Sequence, residues 1–141
     1  MSLRRFEDEI YDYLTNNIKL DVEVKNDDDR VVLSANVTIN DLGDEDILLM
    51  VTVLDNYEAF VTFTLDTLYK DEEALNLVND LNNSQAVFRA FINDDGYVKL
   101  THYVYNAGNP DDFREVVSFC LEKFVEDDIL ELLQPICELT D

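Results

Sequence analysis

Few residues in this 141-residue chain have the chemistry for catalysis: one histidine (His102), two cysteines (Cys120 and Cys137) and three glycines. Nucleophilic catalysis needs a nucleophile, a base within hydrogen-bond reach and a group that orients the base. His102 falls at a strand position beside Phe88 and reads as a hydrogen-bonded core histidine. Ser34, Ser84 and Ser118 lack the Gly-x-Ser-x-Gly setting of a nucleophile elbow. Gly43, Gly96 and Gly108 are each isolated, so no loop can cradle a phosphate. A single histidine with two separated cysteines does not make a zinc site. Asp27-Asp28-Asp29, Asp44-Glu45-Asp46 and Asp94-Asp95-Gly96 miss the spacing and closing glutamate of a calcium loop, and read as solvated turns. Carboxylate pairs for glycoside hydrolysis can be picked from any chain this acidic, but there is no tryptophan to serve as a sugar platform. The expectation is a protein without catalytic residues, metal or cofactor.

Aromatic side chains are the better lead. Leu75 to Gly108 reads as the end of a helix followed by a β-hairpin turning at Asp94-Asp95-Gly96. With Asn93 paired to Tyr97 and Gly96 in the left-handed position, Ile92 faces Val98, Ala90 faces Leu100, Phe88 faces His102 and Ala86 faces Val104. Strand side chains alternate, so these line one side. The opposite side carries Val87, Arg89, Phe91, Tyr97, Lys99, Thr101, Tyr103 and Tyr105. Tyrosine suits protein interfaces because it buries a rigid ring while its hydroxyl stays wet. Val87, Phe91, Tyr97, Tyr103 and Tyr105 are therefore the candidate protein-binding residues. Two covers suit this face: another protein, or a helix or the C-terminal segment of the chain itself.

The elements that position this hairpin follow from periodicity. Phe6, Ile10, Tyr13, Leu14 and Ile18 form an apolar stripe that predicts a helix over 3–17. Leu20, Val22 and Val24 alternate with polar residues, the turn 26–29 follows, and Val31 to Ile39 alternate again. The segment 40–46 reads as an acidic loop. Ile47 to Leu54 is apolar at both alternations, which predicts a central strand covered on both sides. Ala59 to Leu65 is a fourth strand. Asp71 is a suitable N-cap for a helix over 72–81 that packs Leu75, Val78 and Leu81 inward. Asn109-Pro110-Asp111-Asp112 opens a helix with Phe113, Val116, Val117, Cys120 and Phe124 on its buried stripe. Glu126 to Asp128 interrupts it before Ile129, Leu132, Leu133 and Ile136, and Pro135 ends or kinks the last piece. The order is α-β-β-β-β-α-β-β-α, an α+β class with a twisted antiparallel sheet and packed helices, as one domain over 1–141.

Acidic residues outnumber basic ones 32 to 10, for a formal net charge of −22. No Lys or Arg lies between Arg30 and Lys70. Such a chain repels nucleic acid and anionic membrane, and attracts basic partners or simply stays soluble. No apolar run reaches the roughly 20 residues of a membrane span, and the first residues lack the apolar core of a signal peptide. With packed, reduced cysteines, the expected location is the cytoplasm.

Asn76-Leu77-Val78-Asn79-Asp80-Leu81-Asn82, Phe88-Arg89-Ala90-Phe91-Ile92, Asn93-Asp94-Asp95-Gly96 and Tyr97-Val98-Lys99-Leu100, with the helix led by Phe113, resemble the YbjN-domain family. Its fold is like that of type III secretion chaperones. The likeness covers residues 75–125, and the N-terminal half follows by element order. It implies a non-enzymatic protein-binding module, chaperone- or adaptor-like, often homodimeric, which holds an extended or basic segment of a partner protein. The alternative reading, motivated by charge, is an acidic nucleic-acid mimic that blocks a DNA- or RNA-binding protein.

Overall fold

The computed structural model describes residues 3–39, 42, 46–68 and 72–138. Helix α1 (Leu3–Asp12) buries Phe6 and Ile10 and continues into a π-helical turn, Tyr13–Asn17, that buries Leu14. The wider turn, closed by Ile18 N–H donating to the Tyr13 carbonyl at 3.2 Å, rotates Ile18 off the stripe. Ile18 is exposed, contrary to the spacing-based expectation. Lys19 takes a positive φ of 68° and Leu20 N–H donates to the Leu14 carbonyl, so the chain leaves the helix where the first strand was expected to begin.

That strand, β1 (Glu23–Asp27), starts later and runs through the predicted turn as far as Asp27, which pairs with Arg30. Strands β2 (Arg30–Thr38), β3 (Asp46–Leu54) and β4 (Ala59–Leu68) continue as a meander. Helix α2 (Glu72–Ser84) then precedes the hairpin of β5 (Arg89–Ile92) and β6 (Tyr97–Val104). The result is a six-stranded, wholly antiparallel sheet in the order β1-β2-β3-β4-β6-β5. Of the predicted elements, the Asp71 cap, Gly43 and most of the 40–46 loop lie outside the described residues.

The hairpin register agrees with the sequence at its closed end. Ile92 pairs with Val98 and Ala90 with Leu100, Asn93 and Tyr97 close the loop at 2.9 Å, and Gly96 has φ 92°. The ladder begins only at Arg89, so Phe88 meets His102 as a ring contact at 6.5 Å just before the strand, and Ala86, exposed in the bend, does not pair with Val104.

One hydrophobic cluster joins the inward sheet positions to all four helices. Phe63, fully buried on β4, stacks on Phe124 at 3.9 Å and meets the edge of Phe88 at 5.7 Å. Phe124 ends helix α3 (Pro110–Phe124), whose Asn109 cap accepts from Asp112 N–H at 2.9 Å. Helix α4 (Asp127–Cys137) contributes Ile129, Leu130, Leu133 and Ile136, and runs two residues past Pro135. On α2 the buried stripe is Ala74, Val78 and Leu81; Leu75, expected inside, is half exposed.

Candidate protein-binding face

All four helices pack on one side of the sheet, and no described element covers the other. The expectation that β3 is covered on both sides is therefore corrected. Ile47, Leu49, Val51 and Val53 are buried, whereas Leu48, Met50, Thr52 and Leu54 are only half buried on the outward side. Neither a helix nor the described C-terminal segment supplies the cover that the hairpin face was thought to need.

Cross-strand register arranges the uncovered side in rows. One row runs Glu23, Ser34, Met50, Thr62, Thr101, Arg89 from β1 to β5. The next toward the β3–β4 turn is Lys25, Val32, Thr52, Phe60, Tyr103, and the next on the opposite side is Asn36, Leu48, Thr64, Lys99, Phe91. Adjacent side chains in such rows touch and stabilise the sheet. The hydroxyls of Thr62 and Thr101 hydrogen-bond at 2.9 Å, and the Phe60 and Tyr103 rings lie 5.2 Å apart. Tyr103 is held above its usual pKa of 10.0 by desolvation first, then by its hydrogen bond to Glu58 and the charge of that residue.

The third row breaks this pattern. Lys99 stands where a second threonine would satisfy Thr64, and the Thr64 hydroxyl, buried, has no hydrogen-bond partner among the described residues. An orphaned buried hydroxyl costs about 1–3 kcal/mol. It lies at an open depression of about 370 Å³ lined by Asn36, Leu48, Thr64, Tyr97 and Lys99, with Asp46 and Asp95 beside them. The β4–β6 pairing shifts register just beyond, between Thr64 and Leu68.

Of the five residues read from the sequence, Phe91, Tyr97 and Tyr103 share this side of the sheet. Tyr105 follows the end of β6 and is 79% exposed. Val87 does not join them. It sits in the bend before β5, packed against the core, and its carbonyl lies 2.8 Å from His102 Nδ1. Sequence reasoning missed Leu48, Met50 and Phe60, the apolar centre of the face. The signal for Leu48 and Met50 was visible in the double alternation of 47–54 but was assigned to a covered strand, and Phe60 stands at the polar alternation of β4 beside Thr62 and Thr64.

Charge is distributed unevenly. Strand positions with described side chains on the uncovered side carry four bases (Lys25, Arg30, Arg89, Lys99) and three acids (Glu23, Asp27, Asp46), and Asp21, Glu58 and Asp95 border it, in a chain of net −22. The acidic excess therefore belongs to the turns and the helical side.

The two sheet edges also differ. On the β5 edge the Asn82 amide binds both backbone groups of Ala90, at 2.7 and 2.8 Å. Gln85 does the same for Phe88, at 2.8 and 2.6 Å. These side chains of α2 and the bend after it occupy groups that a further strand would need, a recognised way to blunt an edge.

Catalytic groups do not converge. His102 packs by Phe88 and Phe119, at 6.5 and 6.4 Å, and its Nδ1 is engaged by the Val87 carbonyl. Both cysteines are thiols, and burial pushes that of Cys120 up to about 12. Among the described residues, no three His, Cys, Asp or Glu side chains cluster as a metal cage. No described helix is long and apolar enough to cross a membrane. Compared with known protein families and with curated proteins, the chain matches none.

Proposed function

We propose that this chain is a non-enzymatic protein-binding module of the YbjN kind, chaperone- or adaptor-like, cytoplasmic and self-associating, which binds through the uncovered face of its sheet. The observation that carries this reading is the row pattern around Met50. A solvated sheet face alternates to charged and polar residues, yet Leu48, Met50, Leu54, Phe60, Tyr97 and Tyr103 all lie on this one. Contiguous exposed apolar surface of this kind marks interaction sites. The half-buried His102 ring, its Nδ1 held 2.8 Å from the Val87 carbonyl, and the protonated Cys120 thiol support the non-enzymatic side of the proposal.

Sedimentation velocity over a concentration series tests it. The expected result is association that Met50→Asp or Tyr103→Ala weakens, with circular dichroism unchanged because neither side chain belongs to the core. A monomer at every concentration, or association indifferent to both substitutions, overturns it. The nucleic-acid mimic ranks second, since most of the acids occupy turns and helix exteriors as on any solvated surface.

A further inference from the structure

The rows and their charges say how two copies meet. The geometry points to a two-fold homodimer, sheet face on sheet face, whose axis runs parallel to the strands between β3 and β4, placing Glu23 of each copy against Arg89 of the other. This rests on the proposed function and adds the occupant, the axis and the pairing residues.

The occupant follows from charge and area. A chain of −22 repels a second copy over most of its surface, and the uncovered sheet face, whose strands carry four bases and three acids with Asp21, Glu58 and Asp95 at its border, holds only a small part of that acidic excess. Stable interfaces bury about 800 Å² per partner. Strands of 5, 9, 9, 10, 4 and 8 residues at about 4.8 Å and roughly 3.3 Å per residue give a footprint of about 700 Å², close to that size.

The axis follows from the sheet order. The midline of β1-β2-β3-β4-β6-β5 falls between β3 and β4. Rotation about that line lays β1 over β5, β2 over β6 and β3 over β4 of the second copy. In the central row Glu23 then meets Arg89, Ser34 meets Thr101 and Met50 meets Thr62. In the flanking rows Val32 covers Tyr103, and the Asn36 amide meets Lys99. Within these three rows no like charges are superposed. An axis along the central row would instead set Glu23 on Glu23 and Arg89 on Arg89. A self-complementary patch of this kind is what a two-fold interface requires. The twist between aligned sheets, about 30°, slides the outer strands by about 7 Å, within reach of two long side chains. Neither Glu23 nor Arg89 has an ion-pair partner among the described residues of its own chain.

Charge exchange tests this with the full chain in sedimentation equilibrium. Wild type is expected at twice the 16.3 kDa chain mass. Glu23→Arg alone and Arg89→Glu alone each put like charges together twice per dimer, and each is expected to weaken it at least about tenfold. The double variant restores it to within about threefold, and mixing the two single variants yields a heterodimer although neither dimerises alone. The mixed dimer also shows that both variants are folded. A dimer that the single variants leave intact, or a double variant as weak as either single, overturns the geometry while leaving self-association standing. A monomeric wild type overturns both.

Discussion

Cys120 has no proton to give up until strong alkali, and that property should be measurable in the stability of the whole protein. Its thiol, buried on α3, is raised from 9.0 to about 12 by desolvation. A raised folded pKa leaves stability complete below the unfolded value and removes it as pH climbs toward the folded one. Between about pH 9 and 12 the unfolded chain loses this proton and the native chain keeps it, so stability should fall by about 1.4 kcal/mol per pH unit. Urea melts of wild type and Cys120→Ala across that window should differ by this slope. Cys120 should also resist alkylation in the native protein and react once it unfolds. Phe63 is the other residue whose removal is expected to be severe. It is held between the stacked Phe124 ring and the Phe88 edge, so Phe63→Ala should cost about 3–5 kcal/mol in the same melts. A packed, reduced Cys120 was legible from its place in the α3 stripe. The stacking of Phe63 on Phe124 was not, since it joins residues 61 positions apart whose contact depends on how α3 lies over the sheet.

At the scale of elements, Asn82 is the residue to test. It satisfies both backbone groups of Ala90 from the last turn of α2, eight residues upstream, so Asn82→Ala leaves a donor and an acceptor on the β5 edge unpaired. The expected loss is about 1–3 kcal/mol in urea, with a rise in light scattering on heating as the uncovered edge recruits other strands. Asn82→Leu should behave alike, which separates lost hydrogen bonds from lost volume. Periodicity and turn chemistry made most elements readable: the Asp-Asp-Gly loop set the hairpin register, and Asn109-Pro110 set the start of α3. Where reading failed, two stripes competed. On α2 both Leu75/Val78/Leu81 and Ala74/Val78/Leu81 obey helical spacing, and docking chose the smaller residue. On β3 an apolar run at both alternations was taken for a doubly covered strand, because sequence cannot tell a strand covered by its own chain from one left for another. The amide clamps of Asn82 and Gln85 left no local signal, since their partners lie beyond a bend that only the tertiary structure defines.

For the whole molecule, the separation of charge from apolar surface sets the response to salt. Two copies meeting at the sheet face still carry −22 each, and added salt screens that repulsion within a Debye length of about 10 Å at 0.1 M. Association should therefore tighten as salt rises, a trend that sedimentation at several ionic strengths reads directly. A mimic of nucleic acid bound to a basic protein would show the opposite slope. The amide clamps on β5 have a consequence in time as well as space. Asn82 and Gln85 leave the ribosome before Phe88 and Ala90, the residues they cover. Synthesis runs from the N-terminus, and unpaired strand edges on a growing chain are what invite misassembly. On this side of the sheet the guard is made before the thing it guards, so the edge strand β5 emerges next to groups already able to close it.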